Sequence, residues 1–143
     1  MRLTSFTDYG LRALMRLAAV PGQGLSTALL AEELHISRNH LAKVILALSR
    51  AGYVATRRGS GGGAALARPA REIRLGEVVR VLERGQAIAE CFAHDGGRCT
   101  LNGRCKLQGR LRIAEEAFLQ NLNRSTLDQI ALGAAEPAFP LPA

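Results

Sequence analysis

The sequence predicts a mainly α fold: a winged helix-turn-helix with a small β-hairpin wing, followed by a long C-terminal helix suited to dimerisation. Three observations carry this expectation. Two short amphipathic segments separated by a tight break lead at once into β-forming residues around a glycine-rich turn. Near the C-terminus an apolar seam recurs at spacings of 4, 3 and 4, the rhythm of a helix that packs along its length on another. Positive charge is also concentrated: from Ile36 to Arg74 eight basic residues stand against one acidic, whereas the rest of the chain is balanced at eleven of each. The whole net charge of +7 therefore lies in one stretch, which is the footprint of a polyanion-binding surface.

At 143 residues the chain is one domain's worth, with enough length to bury a core. No apolar run approaches the roughly 20 residues of a membrane span, so no membrane partner is expected. The expected organisation is a winged-helix unit over residues 1–84, a cysteine-bearing loop over 85–105, a dimerisation helix and short last helix over 106–132, and a disordered tail over 133–143 rich in Pro and Ala.

The first helix is expected from Thr4 to Val20, capped by Thr4 and stopped at Pro21-Gly22, with Phe6, Gly10, Ala13, Leu14 and Leu17 on one stripe. Asp8 falls in or just after its first turn, where a carboxylate faces the positive end of the helix dipole. A second helix runs from Ser26 or Thr27 through Leu34 and breaks at His35-Ile36. Ser37 caps the third, whose Leu41, Val44, Ile45 and Leu48 follow the spacing of a buried face. At about 100° per residue Asn39, Lys43 and Arg50 fall on the opposite side, flanked by Arg38 and His40. In a helix-turn-helix that second helix enters the major groove, so these five are the candidate DNA-binding residues of the helix.

Gly52 ends the third helix, Tyr53 to Arg58 reads as a strand, Gly59 to Gly63 as a loop, and Ala64 to Ala67 as the return strand. Arg57 and Arg58 then sit at the tip of a wing, a cationic finger for the minor groove or the phosphates beside it. The pattern Gly59-x-Gly61-x-x-Ala64 is not a nucleotide-binding fingerprint. No Lys-Ser/Thr pair follows it, and Arg68-Pro69 prevents a helix from opening where one would be needed. A fourth helix is expected from Ile73 to Leu82, stopped by Gly85. The C-terminal seam is Leu107, Leu111, Ala114 and Phe118, on a helix reaching about Asn123; Ser125 to Asp128 then opens a last short helix to Leu132.

Every cysteine lies between Cys91 and Cys105, spaced Cys-x7-Cys-x5-Cys with Gly96, Gly97 and Gly103 among them. Thiolates are the ligands preferred by soft metals and iron-sulfur clusters, so the loop is expected to gather three of them, with a fourth ligand to be found elsewhere. Two other readings stay open: ordinary buried thiols, or a zinc site with His94 as fourth ligand. An odd count fits disulfide pairing poorly, and the opening residues carry no secretion signal, so a reducing cytoplasmic setting is expected. The chain offers no convincing acid-base or nucleophile constellation, and it is not expected to be an enzyme.

The opening Met1 to Leu14, the helix Ser37 to Ile45, the run Leu48-Ser49-Arg50-Ala51-Gly52-Tyr53-Val54, the wing glycines and the three cysteines together resemble the winged-helix iron-sulfur repressors, and within them the nitric oxide-sensing branch. The likeness covers about residues 1–132 and consists of separate motifs in the right order. It implies a homodimer that binds a palindromic operator in double-stranded DNA, carries a cluster in the loop before the dimerisation helix, and releases DNA when nitric oxide reaches that cluster. It also implies Cys91, Cys99 and Cys105 as cluster ligands, with Asp8 donated by the other subunit, and a 4Fe-4S cluster in preference to 2Fe-2S. In the branch that regulates cluster assembly a histidine three residues after the last cysteine is a ligand; here that position is Gln108. The first cysteine gap, seven residues, is longer than is common in the family. The alternatives are a regulator of the same fold that senses cluster status, iron or redox state, and a cluster-free or zinc-binding DNA-binding regulator.

Overall fold

A computed structural model describes residues 2–59, 62–101 and 103–132. The tail expected over 133–143 lies outside them, as do Met1, Asn102, and Ser60 and Gly61 of the wing loop. The described residues form five α-helices and one antiparallel hairpin: α1 Ser5–Ala18, α2 Thr27–Glu33, α3 Arg38–Arg50, β1 Val54–Arg57, β2 Gly63–Leu66, α4 Leu75–Leu82 and α5 Lys106–Leu122. Among the described residues no helix is long and apolar enough to cross a membrane.

The first three helices start where a hydroxyl side chain can satisfy an orphan backbone donor. Thr4, Ser26 and Ser37 accept from the backbone N–H of Thr7, Leu29 and His40, respectively. Each then turns its apolar stripe inward. Ala13, Leu14 and Leu17 of α1, Leu30 of α2, and Leu41, Val44, Ile45 and Leu48 of α3 are buried in one core with Ile73, Val78 and Leu127. Phe6 only borders that core, while Thr7, polar and absent from the expected stripe, is fully buried. Its hydroxyl is satisfied by Thr4 Oγ1 at 3.1 Å. Gly10 lies at the crossing of α1 and α4, where a Cβ would require a terminal methyl of the Leu82 side chain to shift.

The fourth helix begins at Leu75, two residues later than its apolar spacing suggests. Ile73 and Arg74 are instead extended: Ile73 O accepts from Leu127 N, Arg74 pairs with Thr126 in an isolated bridge, and Leu75 N donates to Ser125 O. A pairing with residues fifty positions away thus overrides the local helical pattern. The end of α5 also supplies the missing cap of α4: Asn123 Oδ1 accepts from Glu77 N at 2.9 Å, and its carbonyl accepts from Arg74 at 2.7 Å. Gly76 makes this approach possible, since a Cβ there would meet the Leu119 carbonyl. The expected last helix shrinks to a 3-10 turn, Leu127–Gln129, closed by a capping box between Thr126 and Gln129.

Among the described residues, helix α5 is anchored to the rest of the fold along one edge. Leu119 is buried and Leu122 borders the core, but Leu107 and Ile113 are 61% and 64% exposed. In the expected seam Ala114 is exposed as well, while Leu111 and Phe118 are half-buried. The apolar face of α5 is therefore not spent on α1, and it stands largely open.

Candidate functional site

The helix-turn-helix is held by a tight corner. Ile36 is buried and its N–H donates to Ala31 O, while His35 takes a left-handed φ of 53°. That conformation is uncommon outside glycine but is enriched in His and Asn, and it turns the chain into α3 within a few residues. With Leu41, Val44, Ile45 and Leu48 facing the core, Arg38, Asn39, His40, Lys43 and Arg50 are all exposed on the outer side of α3. Two aliphatic residues share that outer surface, Ala42 and Leu46, and they were absent from the expected site although the same angular argument places them there.

The wing hangs from this unit at both ends. Val54 pairs with Leu66 and Arg57 with Gly63, so Arg57 closes the hairpin and Arg58 lies just beyond it, both exposed. Leu25, immediately ahead of α2, bridges to Ala64 through two hydrogen bonds of 2.8 and 2.9 Å. Gly63 is required there, because its φ of 143° and the closeness of the Leu25 carbonyl both exclude a side chain. At the base Ala67 N donates to Tyr53 O, and the Arg68 guanidinium lies 4.6 Å from the centre of the Tyr53 ring. Burial raises the Tyr53 phenol above its ordinary range, so it is neutral and serves as a platform for that cation. The exposed outer face of α3 and the Arg57-Arg58 finger thus belong to one braced unit.

The cysteine region is a loop between α4 and α5. Cys91 lies in a 3-10 turn, Glu90–Phe92; Cys99 is in irregular chain; Cys105 occupies the N-cap position of α5 without making a capping hydrogen bond. All three are half-buried free thiols. The loop is organised by its neighbours rather than by the sulfurs: Glu90 accepts from Arg98 N, Asp95 from Gly97 N, and Gln108 Nε2 donates to Cys91 O. Gly97, at φ 62°, passes so close to the Glu90 carbonyl that no Cβ fits. Among the described residues no three His, Cys, Asp or Glu side chains come together as a metal-ion site. The expected gathering of three thiolates is thus not present in this arrangement, and His94 is exposed to solvent.

Asp8 lies in the first turn of α1, where its carboxylate is engaged by Arg12, Nε to Oδ1 at 3.0 Å and Nη2 to Oδ2 at 2.7 Å. The start of α1 is tied in turn to the root of the cysteine loop. Glu83, just after α4, accepts from both the backbone N–H and the hydroxyl of Thr4, at 2.8 and 2.9 Å. This contact spans 79 positions in the chain, and no local pattern announces it. Between Thr4, Glu83 and α5 lies a cavity of about 570 Å³, lined also by Ile88, Leu111 and Phe118.

Helix-turn-helix, wing and C-terminal helix together define a winged-helix transcriptional regulator. Residues 3–132 match the family model of Rrf2, described as an iron-dependent transcriptional regulator, and the chain belongs to the Rrf2 family. Among solved structures it is similar to Staphylococcus aureus CymR in its oxidized form, with 30% identity, a TM-score of 0.71, and coverage of 95% of this chain and 100% of that one. It is also similar to T. potens IscR, at 26% identity and TM-score 0.70 over 91% of this chain and 86% of that one. CymR (YrzC), the global cysteine regulator of B. subtilis, matches at 26% identity and TM-score 0.72, over 92% of this chain and 96% of that one.

Proposed function

We propose that this chain is a dimeric repressor of the NsrR type, acting in the cytoplasm, whose hold on a palindromic operator is set by an iron-sulfur cluster and relieved by nitric oxide. The observation that carries the reading is the joining of two features in one small fold. A braced cationic surface, made by α3 and the wing, shares its core with α1, and Glu83 ties α1 to a loop that holds every cysteine of the chain. In this reading Arg38, Asn39 and His40 at the start of α3 meet base edges, while Lys43, Arg50, Arg57 and Arg58 meet the groove walls and phosphates.

The donor set supports a cluster on chemical grounds, since Cys91, Cys99 and Cys105 are free thiols and none is used as a cap or in a disulfide. When bound, such a group supplies thiolate-held iron that can react with a diatomic ligand; a 4Fe-4S form is preferred to 2Fe-2S because Gln108 stands where the two-iron branch has a histidine. Because the sulfurs are not gathered in the described arrangement, assembly would order the loop as the ligands bind. Asp8 of the partner subunit is the candidate fourth ligand, and to serve it must turn one of the two oxygens now engaged by Arg12 toward the cluster. The open apolar face of α5 supports a second copy as the structural partner. Control of this kind needs little energy: a 100-fold change in operator affinity corresponds to about 2.8 kcal/mol.

The test is anaerobic purification with iron, sulfide and intact mass determined on the same sample. The reading requires iron and sulfide in equal amounts, lost in Cys91→Ala, Cys99→Ala and Cys105→Ala while helical signal is retained. Zinc without sulfide would favour the His94 alternative. One observation supports a second reading. Three ungathered, half-buried free thiols suit direct redox sensing without a cluster, and the similarity to CymR in an oxidized form points the same way. A colourless protein whose DNA affinity follows thiol oxidation would establish that alternative.

A further inference from the structure

The outer surface of α3 is not uniformly polar. At about 100° per residue, Leu46 lies on the same arc as Asn39, seven residues before it, and Arg50, four after. It is 49% exposed. Ala42, one turn earlier and also exposed, continues the same apolar strip. A single exposed leucine on a protein surface is ordinary and by itself says nothing. Here the position carries the argument, because Leu46 sits among Arg38, Lys43 and Arg50, on the face whose charge fits a nucleic acid. When that face is laid in a major groove, its cations are satisfied by phosphates and base acceptors. The one apolar group that the groove offers to an aliphatic side chain is the C5 methyl of thymine.

We infer that Leu46, with Ala42 beside it, reads a thymine methyl in each operator half-site and is a specificity-determining residue of this regulator. The inference rests on the DNA-binding part of the proposed function and is independent of the cluster. It is tested by enriching a random duplex library on the full-length protein, then replacing each thymine of the selected operator by uracil, which removes the methyl and nothing else. The expected result is one position per half-site where uracil weakens binding by about fourfold, the weight of one buried methyl-sized group. In Leu46→Asn the two operators should bind alike at that position, with the salt dependence unchanged; Leu46→Met should keep the preference. Because the side chain is exposed, each variant should keep the parent fold, which thermal melting checks. Uniform tolerance of uracil by the parent protein, or a preference that survives in Leu46→Asn, overturns the inference. A library that yields no enriched sequence at all would overturn the DNA-binding reading, and this inference with it.

Discussion

Asp8→Ala separates a purely structural carboxylate from a shared ligand, because the structure sets the size of the structural effect. The carboxylate and its Arg12 partner are an i, i+4 pair with 43% and 52% of their side chains exposed, and such pairs contribute about 0.3 to 0.5 kcal/mol. A negative charge in the first turn adds about 0.3 to 1 kcal/mol through the helix dipole. Asp8→Ala should therefore cost the apoprotein about 1 kcal/mol, a fall of about 3 °C in melting temperature for a chain of this size. Arg12→Ala removes the pair but leaves the first-turn charge, and should cost about half as much. On holoprotein prepared without oxygen the two variants should diverge. Asp8→Ala is expected to hold a cluster with an altered absorption spectrum and to bind the operator more weakly even without nitric oxide, whereas Arg12→Ala keeps the parent spectrum. Asp8→Cys should hold its cluster tightly and respond weakly to nitric oxide. If Asp8→Ala and Arg12→Ala match each other in spectrum, operator affinity and nitric oxide response, Asp8 is only a helix-terminus charge and the ligand assignment fails.

Arg57→Ala or Arg58→Ala should weaken binding across sequences and lower the slope of log affinity against log salt by about 1, measured by titration at several salt concentrations. Changes at Arg38, Asn39 or His40 should instead alter which operator is preferred, as read by competition between duplexes. Gly76→Val should destabilise the chain by about 1 to 3 kcal/mol in denaturant titration, because the new side chain must push the Leu119 carbonyl and loosen α5 from α4. Hydrogen bonding from Arg80 holds the Glu116 carboxyl below its ordinary range, so its contribution to stability is present above the unfolded value and fades as pH falls through the folded one. Glu116→Gln should accordingly flatten the acid limb of the stability profile, and an unchanged limb would show that the pair adds nothing to folding.

The parts of the fold legible in the sequence are those set by neighbours in the chain. Thr4 and Ser37 announce their helices through side-chain caps, and the spacing of Leu41, Val44, Ile45 and Leu48 orients α3 and so exposes its five candidate DNA-binding residues. What periodicity missed depends on contacts between distant residues. Ile73 and Arg74 carry a helical pattern but are drawn straight by the pairing with Thr126 and Leu127. Glu83 reaches Thr4 across most of the chain, and Asn123 caps a helix that begins almost fifty residues earlier. Leu46 was legible by angle, yet a search for polar groups passes over an aliphatic side chain. The cysteines mark the opposite limit: their spacing names a donor set, but whether three sulfurs meet depends on loop geometry and on what they bind, which residue identity does not encode.

The central claim, that the cysteine loop governs DNA binding through a bound cluster, is tested most directly by one paired titration. Anaerobic holoprotein on its selected operator is titrated with nitric oxide while absorbance and DNA anisotropy are followed in the same cell. The account predicts that operator release tracks the loss of the cluster spectrum, with affinity falling about 100-fold or more, and that Cys99→Ala shows neither the spectrum nor the response. Operator binding that stays constant while the cluster is consumed, or protein that binds and releases DNA identically without iron and sulfide, would contradict it.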